Sequence, residues 1–299
     1  MKTCKAAGAA GCDLWSGKGV WLKGNAHTHT TNSDGRLTAG EIGRAYGKLG
    51  YDFVFLTDHN KFTACPGAGP RPLLIPAVEI GFAHRGHAYH FVCLGVKEAW
   101  DSRSFKSPLH LLERARRENV FVIQAHPYWC GTPSARCVYP GKTACPGVEV
   151  YNTVCDLTKA KGYSSVHWDE LLDAGHRMLG FAVDDTHHAS HIGGGWIMLK
   201  AAGCSAWAIL QAIRAGRFYS TQGPEIKSVK IRGREIRVAC SPSARINFVS
   251  NRYRGACFFA GKGALRGAAW SVPEDCRYVR IELADKTGKM AWSNPFYFP

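Results

Sequence analysis

The thirteen histidines of this 299-residue chain are unevenly spread, and their neighbours suggest what they do. His27-Thr28-His29 is followed by Ser33-Asp34-Gly35. On a strand, residues i and i+2 face one side, so both imidazoles project together from a strand end. That suits two nitrogen ligands on one metal ion, with Asp34 on the next turn offering oxygen. Thr57-Asp58-His59-Asn60 closes the apolar run DFVFL, and the pattern recurs at Glu79 after LLIPAV, at His126 after VFVIQA and at Asp185-Thr186-His187 after LGFAV. Each time an apolar strand delivers a metal-competent side chain at its C-terminal end, where barrel active sites form. Core packing explains such a set poorly, because each member buries a polar group that needs a partner. A shared cluster of divalent ions supplies partners to all. Nitrogen and oxygen ligands without thiolate suit Mn, Fe or Zn.

The elements that must position these residues are short. Asp52–Thr57, Leu74–Glu79, His90–Val96, Val120–Gln124, Val148–Tyr151 and Leu179–Val183 read as buried strands. Thr38-Ala-Gly-Glu41 is a capping box opening a helix that Gly50 stops; Pro108–Asn119 and Ser205–Ala215 are further helices. Strands alternating with helices predict a parallel sheet or barrel. After Gly223-Pro224 the chain turns to short alternating strands between Gly, Pro and Ser turns, the texture of a small β-sandwich. The expected organisation is a leader over 1–20, a metallohydrolase barrel over 21–222 and a sandwich over 223–299.

Bulk properties narrow the function. No run of about 18 apolar residues exists, which excludes a spanning helix, and the N-terminal Ala and Gly stretch is too weakly apolar to engage a membrane. The leader therefore reads as a loose segment of a cytoplasmic protein. The twelve cysteines form no Cys-x-x-Cys pair and read as reduced and mostly structural. The net charge of +15 points to an anionic partner. Residues 222–299 hold 14 of the 38 Lys+Arg and 6 of the 23 Asp+Glu, so the basic excess is concentrated there.

HTHTTNSDG, TDHN, the Glu of AVEI, the His of QAHP and the late Asp-x-His together resemble the polymerase-and-histidinol-phosphatase (PHP) family of metal-dependent phosphoesterases. WLKGNAHTHTTNSDG and GRFYSTQGPEI further resemble its branch with a C-terminal β-sandwich, which includes carbamate hydrolases. The resemblance spans roughly 20–225 and implies a distorted (β/α)7 barrel with up to three ions at its C-terminal face. It implies that His27, His29, Glu79 and Asp185 hold one ion. Glu79 would bridge to a second, with His126 and a histidine before the next strand, while Asp34, His59 and His187 hold a third. His84, His87 and His90 all lie in GFAHRGHAYHFVCLG; His90, immediately before FVCLGV, fits the pattern best. Asp185 has the Asp-x-His spacing, and Asp184 does not.

The expected reaction is hydrolysis of a phosphate ester by a hydroxide that two or three divalent ions activate. The residues expected to act on the reacting group are His187, His188 and Arg85, with His188 and His191 placed to protonate a leaving group. Arg36, Lys61 and Arg85 are candidate phosphate clamps. Glu149 and Asn152 are expected at the site rim, and His191 also within reach of substrate. The loops Thr63–Pro72 and Tyr128–Lys142 would shape the pocket. A small anionic phosphorylated substrate is favoured. The alternatives are a carbamate or other non-phosphate ester and the end of a nucleic acid strand, for which Arg252, Tyr253, Arg254, Phe258 and Phe259 would have to stack bases, although alternate aromatics in strands usually form sandwich core. No protein partner follows from the sequence.

Overall fold

The structure, a computed structural model, describes residues 12–13, 15, 17–65, 71–137 and 145–298. Seven strands form the platform of the site: Val20–Asn25, Phe53–Leu56, Leu73–His84, His87–Leu94, Phe121–Gln124, Gly147–Asn152 and Leu179–Val183. Strands consecutive in sequence are neighbours in the sheet. The first three run parallel to one another, as do the last three. The His87–Leu94 strand, however, is antiparallel to both of its neighbours. Only Arg85 and Gly86 separate it from the strand before, and a parallel crossover needs a dozen or more residues. Both turn residues take positive φ, 50° and 78°, as a tight hairpin turn requires. The strict strand–helix alternation expected from the sequence is corrected to a mixed sheet.

The two outer strands of the seven meet beyond their ends. His29 N–H donates to the Thr186 carbonyl at 2.9 Å and Asp185 N–H to the His27 carbonyl at 3.0 Å. Apolar side chains fill the space within, among them Phe53, Phe55, Val92, Ile123, Phe181 and Phe218.

The capping box at Thr38 forms as its spacing predicts: Glu41 N–H donates to Thr38 Oγ1, and Thr38 N–H to Glu41 Oε2 at 2.8 Å. The helix Ala39–Lys48 buries Ile42 and Tyr46. Pro108–Arg117 and Ala206–Arg214 open on the side chains of Ser107 and Ser205. Three further helices, Pro127–Cys130, Thr153–Lys159 and Ser165–Asp173, escape the sequence reading. Thr153–Lys159 carries β-branched Thr153, Val154 and Thr158, which weaken the helical signal. Its start is fixed by Asn152, whose Oδ1 accepts from Cys155 N–H at 3.0 Å.

The large sheet continues through Trp196–Ala201, Phe218–Thr221, Met290–Ser293, Tyr278–Ala284, Arg245–Ser250 and Gly255–Phe259. It therefore crosses residue 222 unbroken, with Tyr219 opposite Ser293. A second sheet of Cys12–Asp13, Ile226–Arg232, Glu235–Ser243 and Leu265–Ser271 covers this antiparallel part. Between them lies a core that includes Tyr219, Ile236, Phe248, Ile281 and Leu283. Residues 1–11, 14 and 16 of the expected leader lie outside the described residues. The described part is not loose: Cys12–Asp13 pairs with Ile231 and Lys230, and Trp15 packs against Tyr219.

The β part is tied to the helix Ser165–Asp173 by Arg280, which is 2% exposed. Its guanidinium donates to both oxygens of Asp169 at 2.7 Å, also pairs with Glu282, and lies 5.0 Å over the Trp168 ring. No helix among the described residues is long and apolar enough to cross a membrane.

Candidate metal centre

The chemistry-bearing residues sit just past the strand ends: His27 after Asn25, His59 after Leu56, His126 after Gln124 and Asp185 after Val183. Backbone hydrogen bonds extend the ladder to hold them. Thr57 N–H donates to the Thr28 carbonyl at 2.8 Å, Asn60 N–H to Glu79 at 3.0 Å and Ala125 N–H to His90 at 3.0 Å. His126 (φ 26°), Asp185 (φ 54°) and Asn60 (φ 57°) all adopt the left-handed region that non-glycine residues avoid. Such strain persists only where surrounding contacts over-determine it, and it gathers at functional sites.

Four groups of candidate ligand atoms result among the described residues, each within 4.8 Å of one another: His27, His29 and Asp185; Glu79, His90 and His126; His29, Asp34, His59 and His187; and, behind these, His27, His126 and Glu149. Glu79 lies between them. Its Oε2 is 3.2 Å from both His27 Nε2 and His29 Nε2 and 3.3 Å from His59 Nδ1. Its Oε1 is 2.8 Å from His90 Nδ1 and 3.4 Å from His126 Nε2. His90 faces Gly81 across the hairpin, and a Cβ at Gly81 would come 2.9 Å from the imidazole. His84 and His87 pair with each other at the hairpin end.

The proton positions decide what this cluster can bind. His187 Nδ1 is 2.8 Å from the Asp185 carbonyl oxygen. A carbonyl only accepts, so Nδ1 carries the proton, and Nε2 turns its lone pair toward Asp34 Oδ2 at 3.3 Å. His27 Nδ1 likewise donates to Glu149 Oε1 at 2.6 Å. Its Nε2 then faces His29 Nε2 at 3.0 Å and Asp185 Oδ1 at 3.2 Å. Asp185 Oδ1 is buried without a hydrogen bond. Lone pairs aimed at carboxylate oxygens repel unless a cation lies between them, so these residues fit divalent metal. Without the cation, protons take that role. Burial disfavours the charged form of His27, but Asp185, Glu79 and Glu149 override it and push the imidazole well above its ordinary range. His29 is likewise raised to about 9, against burial, by Asp185 and Glu79. Burial works to raise Glu79 and Asp185, yet the imidazoles hold both carboxyls well below the usual range.

Behind this shell stands a second set of buried groups. Glu149 accepts from His27 Nδ1, from His126 N–H at 2.9 Å and from Asn152 Nδ2 at 2.9 Å. Asn152 Nδ2 also reaches Asp185 Oδ2 at 3.1 Å. Asp58 takes Thr30 N–H at 2.7 Å and the hydroxyls of Thr30, Ser33 and Thr63, fixing the loop that carries Asp34. Asp184 accepts from Gly193, Gly194 and Gly195 N–H at 2.8–2.9 Å, and from Tyr46 and Thr153 hydroxyls. The Gly193–Gly195 run is thus an anion cradle for a side chain. A Cβ on Gly194 would meet Thr153 Cγ2 at 2.3 Å.

Several sequence expectations change here. Glu149 and Asn152 are not at the rim: at 1% and 0% exposure they lie behind the imidazoles, because both belong to the buried strand Gly147–Asn152. Arg85 is exposed at the hairpin tip and does not line the pocket, so its expected clamp and catalytic roles lack a structural basis. It lies beyond five further strand residues from Glu79, Ile80 to His84, roughly 20 Å of extended chain. Lys61 also lies off the lining and is hydrogen-bonded to the Asn32 carbonyl. Arg36 is exposed, with its N–H on the His187 carbonyl at 2.8 Å. His188 is exposed and caps the turn through Ser190, while His191 Nδ1 accepts from His187 and His188 N–H at 3.2 Å. Both histidines hold the turn together rather than facing the cavity, and neither lines it. Of the tail aromatics, Phe258 packs on the sandwich core, whereas Tyr253 and Phe259 are exposed.

The cavity in front of the cluster has a volume of about 290 Å³. Its walls include Asp34, His59, His90, His126 and His187, and also Trp129, Val154, Cys155 and Lys159, which sequence reading missed. The stretches 66–70 and 138–144, within the two loops expected to shape the pocket, lie outside the described residues. Cys155 lines the cavity and Cys130 Sγ lies 3.4 Å from His126 Nδ1, so these two of the thiols read as mostly structural stand at the site.

No family model and no curated protein matches this sequence. Among solved structures, the chain is similar to a two-domain protein of Bacteroides vulgatus containing a predicted PHP-like metal-dependent phosphoesterase. Identity is 14% and the TM-score 0.49, over 89% of this chain and 91% of that one. It is also similar to PsfC of Pseudomonas syringae, at 13% identity and a TM-score of 0.44 over 63% of this chain and 88% of the other. The lesion-specific endonuclease PfuEndoQ of Pyrococcus furiosus matches at 11% identity and a TM-score of 0.42, over 66% of this chain and 56% of that one.

Proposed function

We propose that this chain is a metal-dependent hydrolase of small phosphate esters, on a distorted (β/α)7 barrel of the PHP type with a β-sandwich appended. The observation that carries the reading is the pair of imidazoles, His27 and His187, whose Nδ1 protons are held from behind so that their Nε2 lone pairs face carboxylates, buried Asp185 and half-exposed Asp34. His27, His29, Asp185 and Glu79 hold one ion; Glu79, His90 and His126 a second; Asp34, His59 and His187 a third. Bound there, divalent ions supply Lewis-acid neutralisation of a phosphoryl group and acidify water at neutral pH.

The chain's own residues do the rest. Glu149 keeps the proton at His27 Nδ1, and the Asp185 carbonyl keeps it at His187 Nδ1, so that both rings stay in the ligating tautomer. Burial of His27, His29, Glu79 and Asp185 at 0–4% exposure excludes bulk water from the inner side. Asp34, half exposed, stands at the mouth.

The test is hydrolysis of 4-nitrophenyl phosphate, bis(4-nitrophenyl) phosphate and an aryl carbamate by Mn-loaded protein, in wild type and His29→Ala. Phosphomonoester turnover lost in the variant supports the reading. Turnover of the carbamate alone would replace the substrate class, and activity that survives His29→Ala would refute the assigned centre.

A further inference from the structure

Beside the ligand cluster, part of the cavity wall comes from two short helices that the chemistry so far leaves unused. Thr153–Lys159 contributes Val154, Cys155, Thr158 and Lys159, and Pro127–Cys130 contributes Trp129. Lys159 is the one lysine or arginine among the described lining residues, and no described residue pairs with it. Lys159 is exposed, and its side chain lies beside a cavity otherwise lined by imidazoles, carboxylates, thiol, hydroxyl and apolar groups, so a substrate anion there would meet a cation that no other described lining residue supplies. Trp129 stands edge to face with His126 at 5.1 Å between centroids and with His90 at 5.9 Å, which fixes the plane of the indole. It remains 40% exposed, so ring surface is left for a ligand.

Resting on the reading above, we infer that Lys159 and Trp129 select the substrate: a small phosphomonoester whose leaving group is flat and apolar, such as an aryl or nucleoside group. The ester oxygens lie between the ligand cluster and the Lys159 ammonium, and the flat group packs along Trp129 and Val154. A cavity of about 290 Å³ has room for a phosphoryl group and one ring system.

Calorimetric titration separates this inference from the reading beneath it, because it needs binding and no turnover. Phenylphosphonate and methylphosphonate are titrated into Mn-loaded wild type, Lys159→Ala, Trp129→Ala and Trp129→Phe, with metal content measured on each. Wild type is expected to bind phenylphosphonate at least fivefold more tightly than methylphosphonate. Lys159→Ala should weaken both by about tenfold and leave their ratio unchanged. Trp129→Ala should erase the ratio and Trp129→Phe restore most of it, at wild-type metal content. If Trp129→Ala loses metal or fold, the Phe variant and Lys159→Ala decide the matter. Equal affinity for the two phosphonates in wild type, no binding of either, or unchanged binding in Lys159→Ala overturns the inference. Loss of 4-nitrophenyl phosphate turnover with these binding results intact would instead overturn the hydrolase reading alone.

Discussion

Replacing Glu149 by glutamine removes a charge and almost no volume, yet it should weaken metal binding at a site Glu149 does not itself ligate. All three groups around its carboxylate are donors: His27 Nδ1 at 2.6 Å, His126 N–H at 2.9 Å and Asn152 Nδ2 at 2.9 Å. An amide offers one accepting end. If it accepts from His126 and Asn152, its NH2 meets His27 Nδ1–H, and the imidazole must move its proton to Nε2, the atom that faces Asp185 and Glu79. If it accepts from His27, two buried donors lose their partner. Losing such outer-shell support typically costs 10–100-fold in metal affinity, or about 1.4–2.7 kcal/mol. The assay is competition with a chelator of known affinity, read ion by ion. The tightest-bound equivalents should weaken by that range while far-ultraviolet dichroism stays unchanged. Wild-type affinity for every ion in Glu149→Gln would refute the tautomer argument.

Asp184→Asn turns its amide NH2 toward buried N–H donors whichever way it lies, Gly193 beside the Tyr46 hydroxyl or Gly194 and Gly195 beside the Thr153 hydroxyl, and should lower unfolding stability by about 2–4 kcal/mol; a denaturant midpoint equal to wild type would contradict the cradle. Gly35→Ala places a methyl 2.4 Å from the His29 carbonyl oxygen, so the Asp34 loop must shift, and occupancy of the outermost ion should fall while the other two stay bound. Arg280→Ala strands Asp169 and Glu282 at the base of the β part and should cost about 3–5 kcal/mol, visible as a lower thermal midpoint, with metal stoichiometry retained.

The cluster was legible because His59, Glu79, His126 and Asp185 follow closely on apolar runs, where a polar group has no obvious partner. His90 could be told from His84 and His87 only by its position before the strand; the register that sets it across from Gly81, next to Glu79, is a tertiary fact. Glu149 was legible as a site residue but not as a buried one, since a run buried on both faces looks the same whether its carboxylate points at solvent or at an imidazole. Trp129 and Lys159 left no signal because their helices, of four and seven residues, are too short to show a period. The antiparallel hairpin at Arg85-Gly86 is hidden because the apolar runs mark strands only at Leu74–Glu79 and His90–Val96, and the polar stretch between them gives no sign that both strands run on to a two-residue turn. The sheet that crosses residue 222 depends on Phe218–Thr221 meeting Met290–Ser293, a contact between segments some seventy residues apart that local pattern does not encode.

The central claim is that the lone pairs of His27 and His187 face carboxylates, with His29 packed between them, because divalent ions belong there. Elemental analysis of protein purified without added metal, and again after Mn loading and desalting, tests this directly in wild type, His29→Ala and Asp185→Asn. Two or three equivalents in wild type, falling by at least one in each variant, are expected. Less than one equivalent in loaded wild type, or stoichiometry unchanged by either substitution, would contradict the account.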